Sequence, residues 1–148
     1  MSQLSPEART ILLNQLVRFE DYRQYPYRDT EGHLTIGIGR NLDSRGITKP
    51  EALYLCNNDI DAVLDGFNRE LGLYDNLDTV RKIILANMGF NLGVDGVMKF
   101  KHMLAALEAK DYKHAAMAML DSKWQRQVGN RALYLAHAME NGKFDVGS

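Results

Sequence analysis

The sequence predicts a mostly helical α+β fold: a small β-hairpin or sheet lobe and a larger helical lobe joined by one long helix. Three observations predict it. Apolar residues recur at helical spacing before residue 20 and again after residue 48. Between Tyr25 and Gly39 the period drops to two. Thr48-Lys49-Pro50-Glu51 is a capping box that opens a long helical stretch. With 148 residues, the chain suits one domain of two lobes, in which roughly 70% of the unfolded surface can be buried. The expected division is a sheet lobe over about 20–48, a connecting helix over 48–71, and a helical lobe over 72–148 packed with the N-terminal helix.

The first helix begins at Ser5, a good N-cap, with Pro6 at the first helical position and Glu7 in the first turn. On its wheel Ile11, Leu12, Leu16 and Phe19 share an arc that Leu13 and Val17 widen, while Thr10, Asn14 and Arg18 lie opposite. Glu20 projects between Leu16, Leu13 and Val17, on the apolar side. Leu34, Ile36 and Ile38 then point one way along a strand, and His33, Thr35, Gly37 and Gly39 the other. Asp29-Thr30-Glu31-Gly32 supplies the tight turn of the hairpin. A third strand is expected through Asn41 to Ser44, with Gly46 marking its exit. The long helix should end at about Asn68 or Leu71, stopped by Gly72. Val80 to Phe90 is apolar almost all round, apart from Arg81, Lys82 and Asn87, and reads as the buried centre of the helical lobe. Phe100, Met103, Leu104 and Leu107 mark another helix, Asp111 opens a further one, and Asn130 to Asn141 forms the last, stopped by Gly142.

Composition narrows the function. The hydrophobic share of 45% and charged share of 25% are ordinary for a globular protein. A net charge of −1 argues against nucleic acid as a main partner. The single cysteine, Cys56, rules out an intrachain disulfide and reads as a small core residue. No stretch approaches the ~20 apolar residues of a membrane span, so stable membrane association is not expected. The N-terminal residues have no signal-peptide pattern, so no export signal is expected. His33, His102, His114 and His137 lack metal-ligand spacing, so neither a metal nor another cofactor is expected. Trp124 reads as helical-lobe core.

The chemistry-bearing residues cluster between positions 20 and 35. Glu20 ends a helix, facing the negative end of the helix dipole and an apolar flank. Both effects favour the protonated form, as a general acid requires. Asp29 lies in a wet turn rich in backbone donors and should stay ionised. Taken alone, Asp29 is a common turn residue and Thr35 a common strand residue. Thr35 nevertheless stands beside glycines that leave the backbone open to an extended polymer. Two carboxylates in opposite environments and a hydroxyl that can position water are what glycosidic hydrolysis needs.

In this order and spacing, the residues resemble the phage-type lysozymes of glycoside hydrolase family 24. Asp29-Thr30-Glu31-Gly32 followed by Thr35-Ile36-Gly37-Ile38-Gly39 matches the family hairpin. Ile47-Thr48-Lys49 and Asn57-Asn58-Asp59-Ile60-Asp61-Ala62 match its connecting helix, and Leu77-Asp78-Thr79-Val80-Arg81 with Asn87-Met88 its central helix. Ser122-Lys123-Trp124, Gln127 and Asn130-Arg131 match its C-terminal region. The resemblance implies that Glu20 protonates the leaving glycosidic oxygen, that Asp29 stabilises positive charge and orients water, and that Thr35 holds that water on the opposite face. It implies an inverting endolysin, a muramidase acting on the β-1,4 bond between N-acetylmuramic acid and N-acetylglucosamine in bacterial peptidoglycan. Gly37, Asn41, Phe90 and Asn91 are the expected substrate-binding positions, and Arg131 would approach and hold Glu20. The implied setting is a monomer accumulating in the host cytoplasm, released to the cell wall through a holin, and causing host cell lysis.

Several positions depart from the family pattern. Asp21 replaces the Gly of many relatives and puts a second carboxylate beside Glu20. Arg40 stands where the best-known member has His, which predicts an Arg40–Asp59 ion pair without a histidine's pH sensitivity. Asn91 replaces the usual Gln, and Met103 and Ala118 replace polar contacts. The loop before the long helix is short, which predicts a shortened or missing sheet strand. Two rival functions share these residues: a lytic transglycosylase, which closes a 1,6-anhydro ring instead of adding water, and a non-catalytic peptidoglycan-binding module.

Overall fold

The computed structural model describes residues 3–145 and has the predicted mostly helical α+β class. Among these residues the first elements are α1 (Pro6–Glu20), β1 (Arg23–Arg28), β2 (Leu34–Gly37), β3 (Arg40–Asn41), the single-turn α2 (Leu42–Arg45) and the long α3 (Lys49–Glu70). A 3-10 turn at Tyr74–Asn76 follows, then α4 (Thr79–Leu92), α5 (Val94–Met98), α6 (Lys101–Glu108), α7 (Tyr112–Leu120), α8 (Lys123–Val128) and α9 (Asn130–Asn141). The chain divides into two compact units between Leu53 and Tyr54, within α3.

The first unit is held by local polar bonds. Ser5 caps α1 by accepting the Ala8 N–H at 3.2 Å. The three strands form one antiparallel sheet in sequence order, with Thr35 opposite both Tyr27 and Asn41. The β1–β2 register slips between Arg23 and Tyr27. Pro26 lies in that interval and has no N–H to give the ladder. The third strand is only two residues long: Asn41 turns it into α2, accepting the Ser44 N–H on Oδ1 at 3.0 Å. The expected strand residues Leu42 to Ser44 are helical because this cap satisfies the backbone locally. Both halves of the capping box form, with Thr48 N–H donating to Glu51 Oε1 at 2.8 Å and Glu51 N–H to Thr48 Oγ1 at 3.3 Å.

The second unit holds the apolar core. Phe67 from α3, Ile84, Leu85 and Met88 from α4, Met119 from α7 and Leu135 from α9 are fully enclosed. Phe67 stacks on Tyr74 with ring centroids 4.9 Å apart. A Cβ on Gly89 would lie 2.8 Å from the Phe67 ring, so glycine lets α4 approach α3 closely. α9 packs on α7, α4 and α8, and Trp124 is 3% exposed. Three expectations need correction. α4 is not buried all round, since Ile83 and Phe90 on one face are 46% and 47% exposed. Cys56 is half-buried, not a core residue. Arg81, expected as a polar exception, is buried: its Nε donates to the Met139 carbonyl at 2.9 Å and its guanidinium covers the Tyr112 ring at 3.6 Å. It thereby satisfies a carbonyl in the last turn of α9 and keeps its charge paired inside the unit.

Candidate active site

Glu20 is the last residue of α1, and Asp21 ends that helix with φ at 63°. That conformation favours glycine, so the departure at position 21 puts strain into the backbone beside Glu20. The turned chain brings Glu20 against the hairpin exit. An added Cβ on Gly39 would meet Glu20 Oε2 at 2.7 Å and Cδ at 3.0 Å. Gly39, itself at φ 68°, therefore provides the space that the Glu20 carboxyl occupies. The apolar enclosure expected around Glu20 is absent from its own unit. No residue of α1 is buried, and Leu13, Leu16 and Val17 beside Glu20 are each at least two-fifths exposed.

Asp29 is folded into the hairpin turn. Its Oδ1 accepts the N–H of Glu31 at 2.9 Å and of His33 at 2.8 Å. The His33 N–H, chiefly, holds the carboxyl below the usual carboxylate range; burial opposes it, and the Glu31 N–H and the nearby imidazole add to the lowering. Oδ2 lies 3.4 Å from His33 Nδ1. Thr35 follows on β2, but it does not stand on an open surface: it is 4% exposed. Its hydroxyl donates to the His33 carbonyl at 2.9 Å, which leaves its oxygen an acceptor. Gly37, at φ 70°, and Asn41 are half-buried on β2 and β3, and the Asn41 amide oxygen is committed to capping α2.

Arg40 is engaged within its own unit. Arg40 Nη1 donates to the Gly46 carbonyl and to Glu51 Oε1, each at 2.9 Å, and Nη2 donates to Glu51 Oε2. Glu51 lies in the first turn of α3; Asp59, the expected partner of Arg40, is an exposed residue of the second unit. The short loop from β3 brings the guanidinium to the helix start, where Glu51 takes both of its arms. Arg40, and then the Thr48 backbone, draw the Glu51 carboxyl from 4.5 down to about 2.

In the second unit, Phe90 and Arg131 line one cavity of about 640 Å³ with Asn87, Ile60 and Val63. Asn87 holds Arg131 through its side-chain oxygen at 2.8 Å and its backbone carbonyl at 3.0 Å. Asn91 is exposed, and its amide oxygen accepts the Trp124 indole N–H at 2.8 Å. Trp124, Phe100, Met103, Ala118 and Gln127 line a second cavity of about 650 Å³. Gly39, His33 and Glu51 stand beside these groups without a motif that assigns them to the site. The Gly37-Ile38-Gly39 pair of glycines was the one visible signal for Gly39. Among the described residues, no group of three or more His, Cys, Asp or Glu side chains is placed to hold a metal, and no helix is long and apolar enough to cross a membrane.

Comparison with known proteins bears on this geometry. The sequence matches the phage lysozyme family over residues 17–138, a span that includes Glu20, Asp29, Thr35 and Arg131. It is 32% identical to "Probable T4-type lysozyme 1" of Dictyostelium discoideum, over 81% of this chain and 88% of that protein. It is 30% identical to the pre-baseplate central spike protein Gp5 of Enterobacteria phage T4, over 82% of this chain but 26% of that longer protein. It is 29% identical to a SAR-endolysin of Escherichia phage Mu, over 78% of this chain and 67% of that protein.

Proposed function

The chain belongs to the phage lysozyme family and is a peptidoglycan-degrading glycoside hydrolase, and from that premise we propose that it cleaves the β-1,4 bond between N-acetylmuramic acid and N-acetylglucosamine with inversion. Glu20 gives its proton to the glycosidic oxygen as the C1–O bond breaks. The ionised Asp29 faces the positive charge that develops at C1 and orients the attacking water. Thr35 Oγ1 accepts a hydrogen bond from that water. The water oxygen bonds to C1, its proton passes to Asp29 or solvent, and Glu20 recovers a proton from solvent. Gly37, Asn41, Phe90 and Asn91 remain the proposed contacts to the glycan, and Arg131 the proposed support for Glu20.

The observation that carries this reading is that one hairpin meets both carboxyl groups. Glu20 rests on Gly39 at the hairpin exit, while Asp29 in the turn of the same hairpin is held ionised by two N–H groups. Glu20→Gln is expected to reduce the release of reducing ends from purified peptidoglycan by about 10²–10⁴-fold, the usual worth of general acid catalysis. Parent-like release by this variant would refute the assignment of the acid. NMR of the first-formed anomer tests inversion, and mass spectrometry tests water as the acceptor, because 1,6-anhydro ends would mean a lytic transglycosylase. A part in host cell lysis, with a holin-type partner admitting the enzyme to the wall, is checked by expressing the chain with and without a holin.

A further inference from the structure

We propose that His33 is a positioning residue for Asp29, and that the charge on its imidazole sets how much of the Asp29 carboxylate is free to act. This rests on the role proposed above for Asp29. His33 meets Asp29 three times. Its N–H donates to Asp29 Oδ1 at 2.8 Å, its carbonyl accepts the Asp29 N–H at 2.9 Å, and its ring Nδ1 lies 3.4 Å from Oδ2. The same carbonyl accepts the Thr35 hydroxyl at 2.9 Å. One residue therefore joins the two groups assigned to the attacking water.

The two oxygens of Asp29 have different environments. Two backbone N–H groups occupy Oδ1, so Oδ2 is the oxygen left for chemistry, and the His33 ring faces it. Glu31 Oε2 is 3.7 Å from the same ring nitrogen and offers the ring a second carboxylate. On the neighbouring strand Arg28 donates to the Gly32 carbonyl at 3.1 Å and lies 3.8 Å from Asp43 of α2, which also accepts the Leu34 N–H. Arg28 and Asp43 thus face one another, and the carboxylates facing the ring are those of Asp29 and Glu31.

An imidazolium at this position donates a charged hydrogen bond to Oδ2. A carboxylate so engaged stabilises less positive charge at a sugar carbon and takes a proton from water less readily. A neutral ring releases it. Only a charged ring engages Oδ2 in this way, so turnover should weaken as acid protonates it. The ring side chain is 43% exposed and the Asp29 side chain 33%, so water screens the contact and the effect is several-fold rather than orders of magnitude.

The test measures kcat and KM on purified glycan strands from pH 5 to 8 for the parent, His33→Gln and His33→Lys. The parent kcat is expected to fall about fivefold toward pH 5 with little change in KM. His33→Gln should lose that fall, and His33→Lys should stay low throughout. An acid-side fall in His33→Gln equal to the parent's would overturn the proposal. A second arm needs no turnover: NMR follows the His33 ring resonances with pH in the parent and in Asp29→Asn. A different pH response in Asp29→Asn supports the pairing, and identical responses overturn it. Absence of cleavage by the parent at every pH would instead remove the role given to Asp29, while the NMR arm still decides the pairing.

Discussion

The two units of this chain are built by different means. From Tyr54 onward, the second unit contains every fully enclosed apolar side chain among the described residues, from Phe67 to Met139. The first unit, up to Leu53, has one buried side chain among its described residues, and that is Thr35. Its shape comes from caps, turns and charged hydrogen bonds: Ser5 on α1, Asp29 in the hairpin, Asn41 on α2, and Arg40 with Glu51 at the start of α3. The proposed catalytic groups all lie in this polar unit. Bonds worth about 1 kcal/mol each hold a backbone in place without enclosing it, which leaves carboxylates wet and accessible. A packed core gives larger stability but has no room for a solvated polymer.

If that contrast is right, the two units fail differently. The largest expected effect is in the core. Leu85→Ala removes a fully enclosed side chain and should cost about 2–5 kcal/mol in denaturant unfolding of the second unit. Hydrogen exchange should report that loss in α4, α7 and α9 while the hairpin amides keep their protection. Equal loss of protection in both units would mean that they do not unfold separately.

Next in size is Gly39→Ala, which acts on activity. Its new Cβ would lie within 3 Å of the Glu20 carboxyl, and displacing a catalytic group by an ångström costs on the order of 10²-fold in turnover. The positive φ at position 39 adds backbone strain, which needs its own control. Gly46→Ala also places a side chain at positive φ, 56°, but meets nothing within 4 Å. Comparable stability in the two variants, with turnover lost only in Gly39→Ala, isolates the contact with Glu20. Equal turnover in both would mean that Gly39 does not position the acid.

These contacts mark the boundary of what the sequence could tell. Most devices closed within four residues were legible, because the partner's identity and spacing are both visible: the Ser5, Asp111 and Thr48–Glu51 caps, the Asp29–Gly32 turn, and the Gly142 stop; the Asn41 cap, which reads as strand, is the exception. Partners chosen by the path of the chain were not. Arg81 reaches Met139 across 58 residues, and no local pattern announces a cation that terminates another helix. Arg40 reaches Glu51 across 11 residues, and only the course of the chain between β3 and α3 brings them together. The closeness of Glu20 to Gly39 depends on how the chain turns at Asp21, a residue whose type argued against the conformation it adopts.

That turn gives a smaller prediction. Asp21→Gly relieves the positive-φ strain and should raise the unfolding free energy of the first unit by about 1 kcal/mol. Thermal unfolding followed by a probe in the hairpin reads the change. A loss of stability would show that the Asp21 side chain does more for the turn than its backbone costs.

The smallest effect concerns acid. Glu51 has its carboxyl drawn down from 4.5 to about 2, mainly by Arg40, so its folded form holds a proton less readily than its unfolded form. Its contribution is therefore fully present above about pH 4.5 and fades as the pH falls toward 2. Both partners are partly solvated, with side-chain exposures of 25% and 39%, so the contribution is modest and salt should weaken it. Glu51→Gln should make the first unit less stable than the parent at pH 6, with a difference that shrinks through pH 4 and 3 and closes near pH 2. Urea unfolding at those four values measures it. A difference that stays constant with pH would show that the Glu51 contribution comes from the neutral capping bonds to Thr48, and that the polar unit depends less on charge than its hydrogen bonds imply.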